Sequence, residues 1–168
     1  MKGPRIVRKK AMNSEKDPYL MKISPEDMAV CKKCGAVYHN KRWSLDADTV
    51  KMAFSGKATE VLCPACQKIK DGFAGGFVTI QGGFIKDHSE EILNLVRNKE
   101  KRAMHNNPLD RIIEIKKKSG SIEIKTTTDK LAQRIGQMVK KTFNGDIEYK
   151  WSSDVKLARV VWTRDAGS

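Results

Sequence analysis

VCKKCGAVY at residues 30–38 and VLCPACQKIK at residues 61–70 each carry a Cys-x-x-Cys pair, Cys31 with Cys34 and Cys63 with Cys66. These are all the cysteines of the chain, and 28 residues lie between Cys34 and Cys63. A Cys-x-x-Cys turn presents two thiolates on one side, and two such turns facing each other close a tetrahedral site of four soft ligands. The pattern predicts one structural zinc ion on Cys31, Cys34, Cys63 and Cys66. Two disulfides would need an oxidising compartment, and the basic residues near the start are not followed by the apolar stretch of a secretory signal. A thioredoxin-like redox pair wants a single Cys-x-x-Cys opening a helix, which leaves the second pair superfluous. Iron takes the same tetrahedral thiolates and stays open beside zinc.

The flanking residues sharpen this reading. Gly35 supplies a permissive backbone just after the first pair, and Pro64 stiffens the second. QKIKDG after Cys66 reads as a short helix ending near Gly72, and AVYHNKRW after the first pair as a strand. A knuckle, strands and a second pair opening a helix is treble-clef-like, with a two-knuckle zinc ribbon as the close alternative.

With 39% hydrophobic and 7% aromatic residues, a 168-residue chain has a modest core, so a metal site would supply stability that apolar burial does not. Thirty-three Lys and Arg against 20 Asp and Glu leave +13. Such an excess favours an anionic partner, nucleic acid before an anionic membrane. No apolar run approaches a membrane span. The expectation is a soluble, cytoplasmic protein with no membrane partner and no evident small-molecule substrate.

Along the chain, residues 1–23 read as a flexible basic arm. Residues 24–107 form the expected four-cysteine zinc module, with Ser24-Pro25-Glu26-Asp27 capping an opening turn. The stretch LDADTVKMAF (residues 45–54) is too irregular to assign, and residues 59–62 read as a returning strand. FVTIQGGFI reads as strand or hairpin. Asp87 to about Met104 is a helix, acidic at its start and basic at its end, with Ile92, Leu95 and Val96 as its apolar stripe. Asn106-Asn107-Pro108 is the expected domain boundary. Residues 108–168 read as a ββαββ module. IIEIKK, a Ser119-Gly120 turn and SIEIKT form a hairpin, with Ile113 and Ile115 facing Ile122 and Ile124. Thr128 caps a helix from Asp129 to about Phe143, stopped by Asn144-Gly145. Leu131, Ile135, Met138, Val139 and Phe143 are its buried stripe. Ile147, Tyr149 and Trp151 alternate in one strand and Ala158, Val160 and Trp162 in the last, both tryptophans being expected in the core. The fold class is α+β, with an exposed sheet face carrying Glu114, Lys116, Lys125, Lys150 and Arg159.

Basic residues crowd the cysteine pairs: Lys32 and Lys33 inside the first, Lys41 and Arg42 before Trp43, Lys68 and Lys70 after the second. Together with Tyr38, His39 and Trp43 they mix phosphate contacts with stacking surfaces, as RNA-binding sites do. Arg97, Lys99, Lys101 and Arg102 give the long helix a basic exit. His88 and His105 read as cap or surface residues, because four cysteines already close the coordination.

CKKCGAVYHNKRW, LCPACQKIKDGFAGGFVTIQGGF, EILNLVRNKEKRAMHNNPLDRI, TTTDKLAQRIGQMVKKTFNGDIEY and RVVWTR together resemble a family of small bacterial zinc-ribbon proteins, over roughly residues 30–164. More distantly, the order of the knuckles and the TTTDKLAQRIG helix are similar to the N-terminal zinc region of the archaeal and eukaryotic adaptor for export of the large ribosomal subunit. That resemblance implies ribosome binding and carries over no catalytic residue. The expected function is thus a non-enzymatic, zinc-stabilised RNA-binding protein acting on ribosomal RNA or a ribosomal subunit, in assembly, quality control or dormancy. A DNA-binding transcription factor is the alternative and would read bases from Asp129, Lys130, Gln133 and Arg134. An iron-thiolate redox carrier is a third reading. No phosphate loop precedes a Lys-Ser or Lys-Thr, and no histidine lies near a candidate nucleophile in the sequence.

Overall fold

The computed structural model describes residues 28–56, 58–152 and 157–166. The basic arm at residues 1–23, the capping turn at Ser24–Asp27 and most of the turn after Ser152 lie outside them. The fold is α+β, with four helices and two sheets among the described residues.

The smaller sheet holds β1 (Ala29–Cys31), β2 (Val37–His39), β3 (Arg42–Ser44) and β4 (Thr59–Val61), in the order β3-β2-β1-β4. β1 runs antiparallel to β2 and parallel to β4. The expected single strand AVYHNKRW is a hairpin, because Asn40 and Lys41 both take positive φ, 52° and 65°. Two successive left-handed residues make the tight turn whose twist matches antiparallel strands. The unassigned stretch before β4 is helix α1 (Ala47–Ser55), where Asp46 Oδ2 accepts from the Thr49 amide at 3.3 Å. Its Phe54 is 82% exposed, so α1 buries little beyond Ala53.

Helix α2 (Pro64–Asp71) starts at the second cysteine pair and stops where expected. Gly72 sits at φ 68°, and the Phe73 and Gly72 amides close back onto the Lys68 and Ile69 carbonyls. This left-handed cap satisfies carbonyls that the helix end would otherwise orphan.

The larger sheet is built from β5 (Gly76–Gln81), β6 (Ile112–Lys118), β7 (Ser121–Thr126), β8 (Asp146–Ser152) and β9 (Leu157–Thr163), in the order β6-β7-β5-β9-β8. Helix α3 (Ile85–Asn106) joins β5 to β6, and α4 (Asp129–Phe143) joins β7 to β8. The expected ββαββ order is present but incomplete. β5 lies between β7 and β9, so the division expected at residues 107/108 runs through this sheet. The physical reason is hydrogen bonding: FVTIQ is a single central strand whose ladder is filled on both edges, and not half of a hairpin. The segment just after the expected boundary is held in place as well. Thr127 Oγ1 donates to the Leu109 carbonyl (2.6 Å) and accepts from the Arg111 amide (2.9 Å), and Thr128 Oγ1 donates to buried Asp110 (2.7 Å).

One continuous core fills the space between this sheet and its two helices. Val78, Ile80, Ile122, Ile124, Ala158, Val160 and Trp162 from the sheet meet Ile85, Ile92, Leu93 and Val96 of α3 and Leu131, Ile135 and Val139 of α4. Leu93, rather than Leu95, completes the buried stripe of α3. Helix α4 comes unusually close: a Cβ on Gly136 would collide with Val160 Cγ1, and one on Gly76 with Ala132 Cβ. Two expectations about side-chain direction are corrected. A bulge between Ile112 and Glu114 inserts Ile113, so Ile112 and Ile115 pack on the core; one extra residue reverses which face a side chain takes. Trp151 is 52% exposed on edge strand β8, while Trp162 is fully buried and donates its Nε1–H to the Asn144 carbonyl. Edge position explains the difference, since β8 is the outermost strand and the helix packs mainly on β9.

Candidate metal centre

Cys31 ends β1, and Cys34 lies in the turn that leads to β2. That turn is closed by the Cys31 amide on the Ala36 carbonyl (2.8 Å) and the Gly35 amide on the Cys31 carbonyl (3.0 Å), with Gly35 at φ 79°. Cys63 caps α2, accepting from the Cys66 amide at 3.4 Å, and Cys66 lies in the first turn. The parallel pairing of Cys31 with Val61 brings the two turns together. All four sulfurs lie within 4.8 Å of one another, and Cys34 Sγ is 3.7 Å from Cys63 Sγ. Tetrahedral zinc with bonds of ~2.3 Å sets its sulfurs about 3.8 Å apart, which this cluster approaches. The thiols are free, with no disulfide among them. The residues therefore fit a metal ion held by Cys31, Cys34, Cys63 and Cys66.

Backbone donors already point at the sulfurs, as a negatively charged cluster requires. The Cys63 amide donates to Cys31 Sγ at 3.3 Å, and the N-terminus of α2 adds its positive end. Before a metal binds, the thiols share protons unequally. The Cys63 thiol as hydrogen-bond partner holds Cys34 down at about 5. That same contact, with burial behind it, pushes Cys63 up, and burial raises Cys66 to about 11.

Two residues that the sequence reading did not connect to the site border it. Arg111 places Nη1 4.0 Å from Cys66 Sγ, and its buried Nε has no hydrogen-bond partner among the described residues. Leu109 packs against the cysteine cluster with Ala36, Trp43 and Ala65. Both come from the segment just after the expected boundary, 45 residues beyond Cys66 in the case of Arg111, so neither motif nor spacing pointed to them.

The basic residues fall on several elements. Lys32 and Lys33, in the first cysteine turn, are exposed, as are Lys41 and Arg42 in the β2–β3 hairpin and Lys70 in the last turn of α2. Lys68 reaches across to the larger sheet, donating to the Thr127 carbonyl at 3.3 Å. Arg97, Lys101 and Arg102 are exposed on α3, with Lys99 half-buried. Trp43 is different. Its ring is 9% exposed, tilted against Tyr38 at 5.5 Å, and belongs to the core around the cysteines. An anchored ring of this kind offers no face to a base, which corrects its expected stacking role. His88 stacks on Phe84 and lies 3.2 Å from Glu91 Oε1, away from the cysteines. Among the described residues no helix is long and apolar enough to cross a membrane. No family model, curated protein or solved structure matches the chain.

Proposed function

We propose that this chain is a non-catalytic, zinc-stabilised RNA-binding protein that acts on the ribosome. One observation carries the reading: a four-cysteine cluster with metal-ready geometry fixes a turn from which Lys32 and Lys33 project into solvent. A turn held by metal loses little conformational freedom on binding, so its cations and amides meet a phosphate backbone at low ordering cost. The first pair on a strand turn and the second at the start of a helix favour the treble-clef reading, and zinc is the ion that closed four-thiolate sites of this kind most often hold. The net charge of +13 supplies the long-range attraction. The ribosome enters through the more distant resemblance to the export adaptor. The DNA-reading alternative is less well served, because Arg134 of α4 is turned to Asp110 at 3.6 Å.

Sedimentation of the tagged protein with ribosomes through sucrose, at low and moderate salt with ribonuclease-treated controls, tests the reading. Co-migration with a subunit or intact ribosome at both salts is expected, weakened by Lys32→Glu with Lys33→Glu while metal content stays the same. Slow sedimentation at both salts overturns the ribosome assignment. A reddish absorbance in the purified protein would replace zinc with iron.

A further inference from the structure

The larger sheet has one face under α3 and α4 and a second face on which every described side chain of the strands is at least partly exposed. Strand register sets a straight row across that open face: Glu114, Lys125, Phe77, Arg159 and Lys150, each directly opposite the next. The row is not uniform. On the β6–β7 side the charges are matched, with Lys125 3.5 Å from Glu114 and Lys118 3.0 Å from Glu123. On the β9–β8 side they are not. Arg159 and Lys150 are like charges in directly opposed positions, an arrangement that costs stability, and among the described residues neither has an ion pair. Glu148 shares the face opposite Val161, yet pairs with neither cation.

The Arg159 guanidinium lies 4.6 Å over the Phe77 ring. Phe77 is half-buried beneath it and Arg159 is exposed, so the guanidinium is backed by the ring on one side and open to solvent on the other. A planar cation fixed over an aromatic ring is a surface on which an unpaired base stacks, and a neighbouring lysine suits the adjoining phosphate. We propose that Phe77, Arg159 and Lys150 form a platform for an unpaired nucleotide of single-stranded RNA. This rests on the RNA-binding reading and places a second contact on the sheet, away from the cysteine turns. It also gives a reason for two unpaired cations facing each other, because a bound phosphate removes their repulsion.

Fluorescence anisotropy of the zinc-loaded full chain, with labelled single-stranded RNA of about twelve nucleotides and a duplex of the same length, tests it. The wild type is expected to prefer the single strand. Arg159→Lys keeps the charge but loses the plane, and is expected to weaken single-strand binding about ten-fold with an unchanged salt slope and unchanged duplex binding. Lys150→Gln is expected to make the single-strand salt slope shallower by about 0.7. Phe77→Leu keeps an apolar side chain in place and is expected to behave as Arg159→Lys does. Wild-type affinity in all three overturns the platform, while binding that is lost on Lys32→Glu with Lys33→Glu leaves the RNA-binding reading standing. A wild type that binds neither RNA overturns both.

Discussion

Arg111 brings a permanent positive charge to within 4.0 Å of Cys66 Sγ, from a backbone position fixed by Thr127. Four thiolates around a divalent cation leave two net negative charges, and groups just outside the ligands set how well those are tolerated. Arg111→Met, which keeps an unbranched stem and removes the cation, is expected to weaken zinc binding about ten-fold or more in competition with a chromogenic chelator; an unchanged affinity would reduce Arg111 to a packing residue. The thiols themselves give the pH dependence. Cys63 and Cys66 are both held above the ordinary thiol range, and Cys34 below it. At neutral pH the first two carry protons that zinc must expel, whereas Cys34 has none to lose. Zinc affinity is therefore expected to tighten as pH rises, by at least about a hundred-fold per unit between pH 6 and 8 for the protons displaced from Cys63 and Cys66. A titration in which affinity is flat over this range would mean that the cluster is already deprotonated.

At the scale of elements, α4 shows how a helix read from sequence is finished by contacts that sequence does not display. Its cap at Thr128, its stop at Asn144 and its buried stripe were all legible, because capping chemistry and a 3.6-residue period are local. Its closeness to β9 was not. Gly136 faces Val160, which is 1% exposed, and a methyl group there would strike Val160 Cγ1 and approach Ile147 Cδ1 to 3.0 Å. Gly136→Ala gains about 1 kcal/mol of helix propensity but forces about 1–3 kcal/mol of overpacking into a sheet with no room to yield. The expected outcome is net destabilisation, read as a lower urea midpoint; a raised midpoint would show that α4 can lift away from the sheet. Elsewhere the missing information was equally non-local. The bulge at Ile113 looks like an ordinary member of IIEIKK, and only pairing with β7 reveals the extra residue. The β2–β3 turn hid because Lys41 holds the left-handed position that Gly or Asn usually marks. The four cysteines were readable as a site because their ligand chemistry is written in spacing, while Arg111 joins them through tertiary structure alone.

At the scale of the molecule, the described residues form two apolar clusters that share no buried residue, one around the cysteines and one between the larger sheet and its helices. The first contains Cys31, Cys63 and Cys66 among its six buried members, with little aliphatic mass, and its sheet strands are three residues long. Apolar burial on that scale does not hold a fold by itself, so an ion on the four cysteines would carry much of the stability of this half. The second cluster contains no ligand and has the larger core. Between them run the Lys68 bond to Thr127 and the packing of Leu109, contacts that join the halves without merging their cores. Removing the metal with a strong chelator is therefore expected to open the half around the cysteines and leave the larger sheet folded. Trp43 and Trp162 report the two halves separately, being 9% and 0% exposed, whereas Trp151 is half-exposed before and after. Chelation is expected to shift tryptophan emission to longer wavelength through Trp43, a change absent in Trp43→Phe. Most of the helical circular dichroism, which comes from α3 and α4, is expected to survive to a second, chelator-independent melting transition. Cys63→Ser is expected to reproduce the chelated state without a chelator. A single transition that takes both signals together would mean that the contacts through Thr127 and Leu109 bind the halves into one cooperative unit.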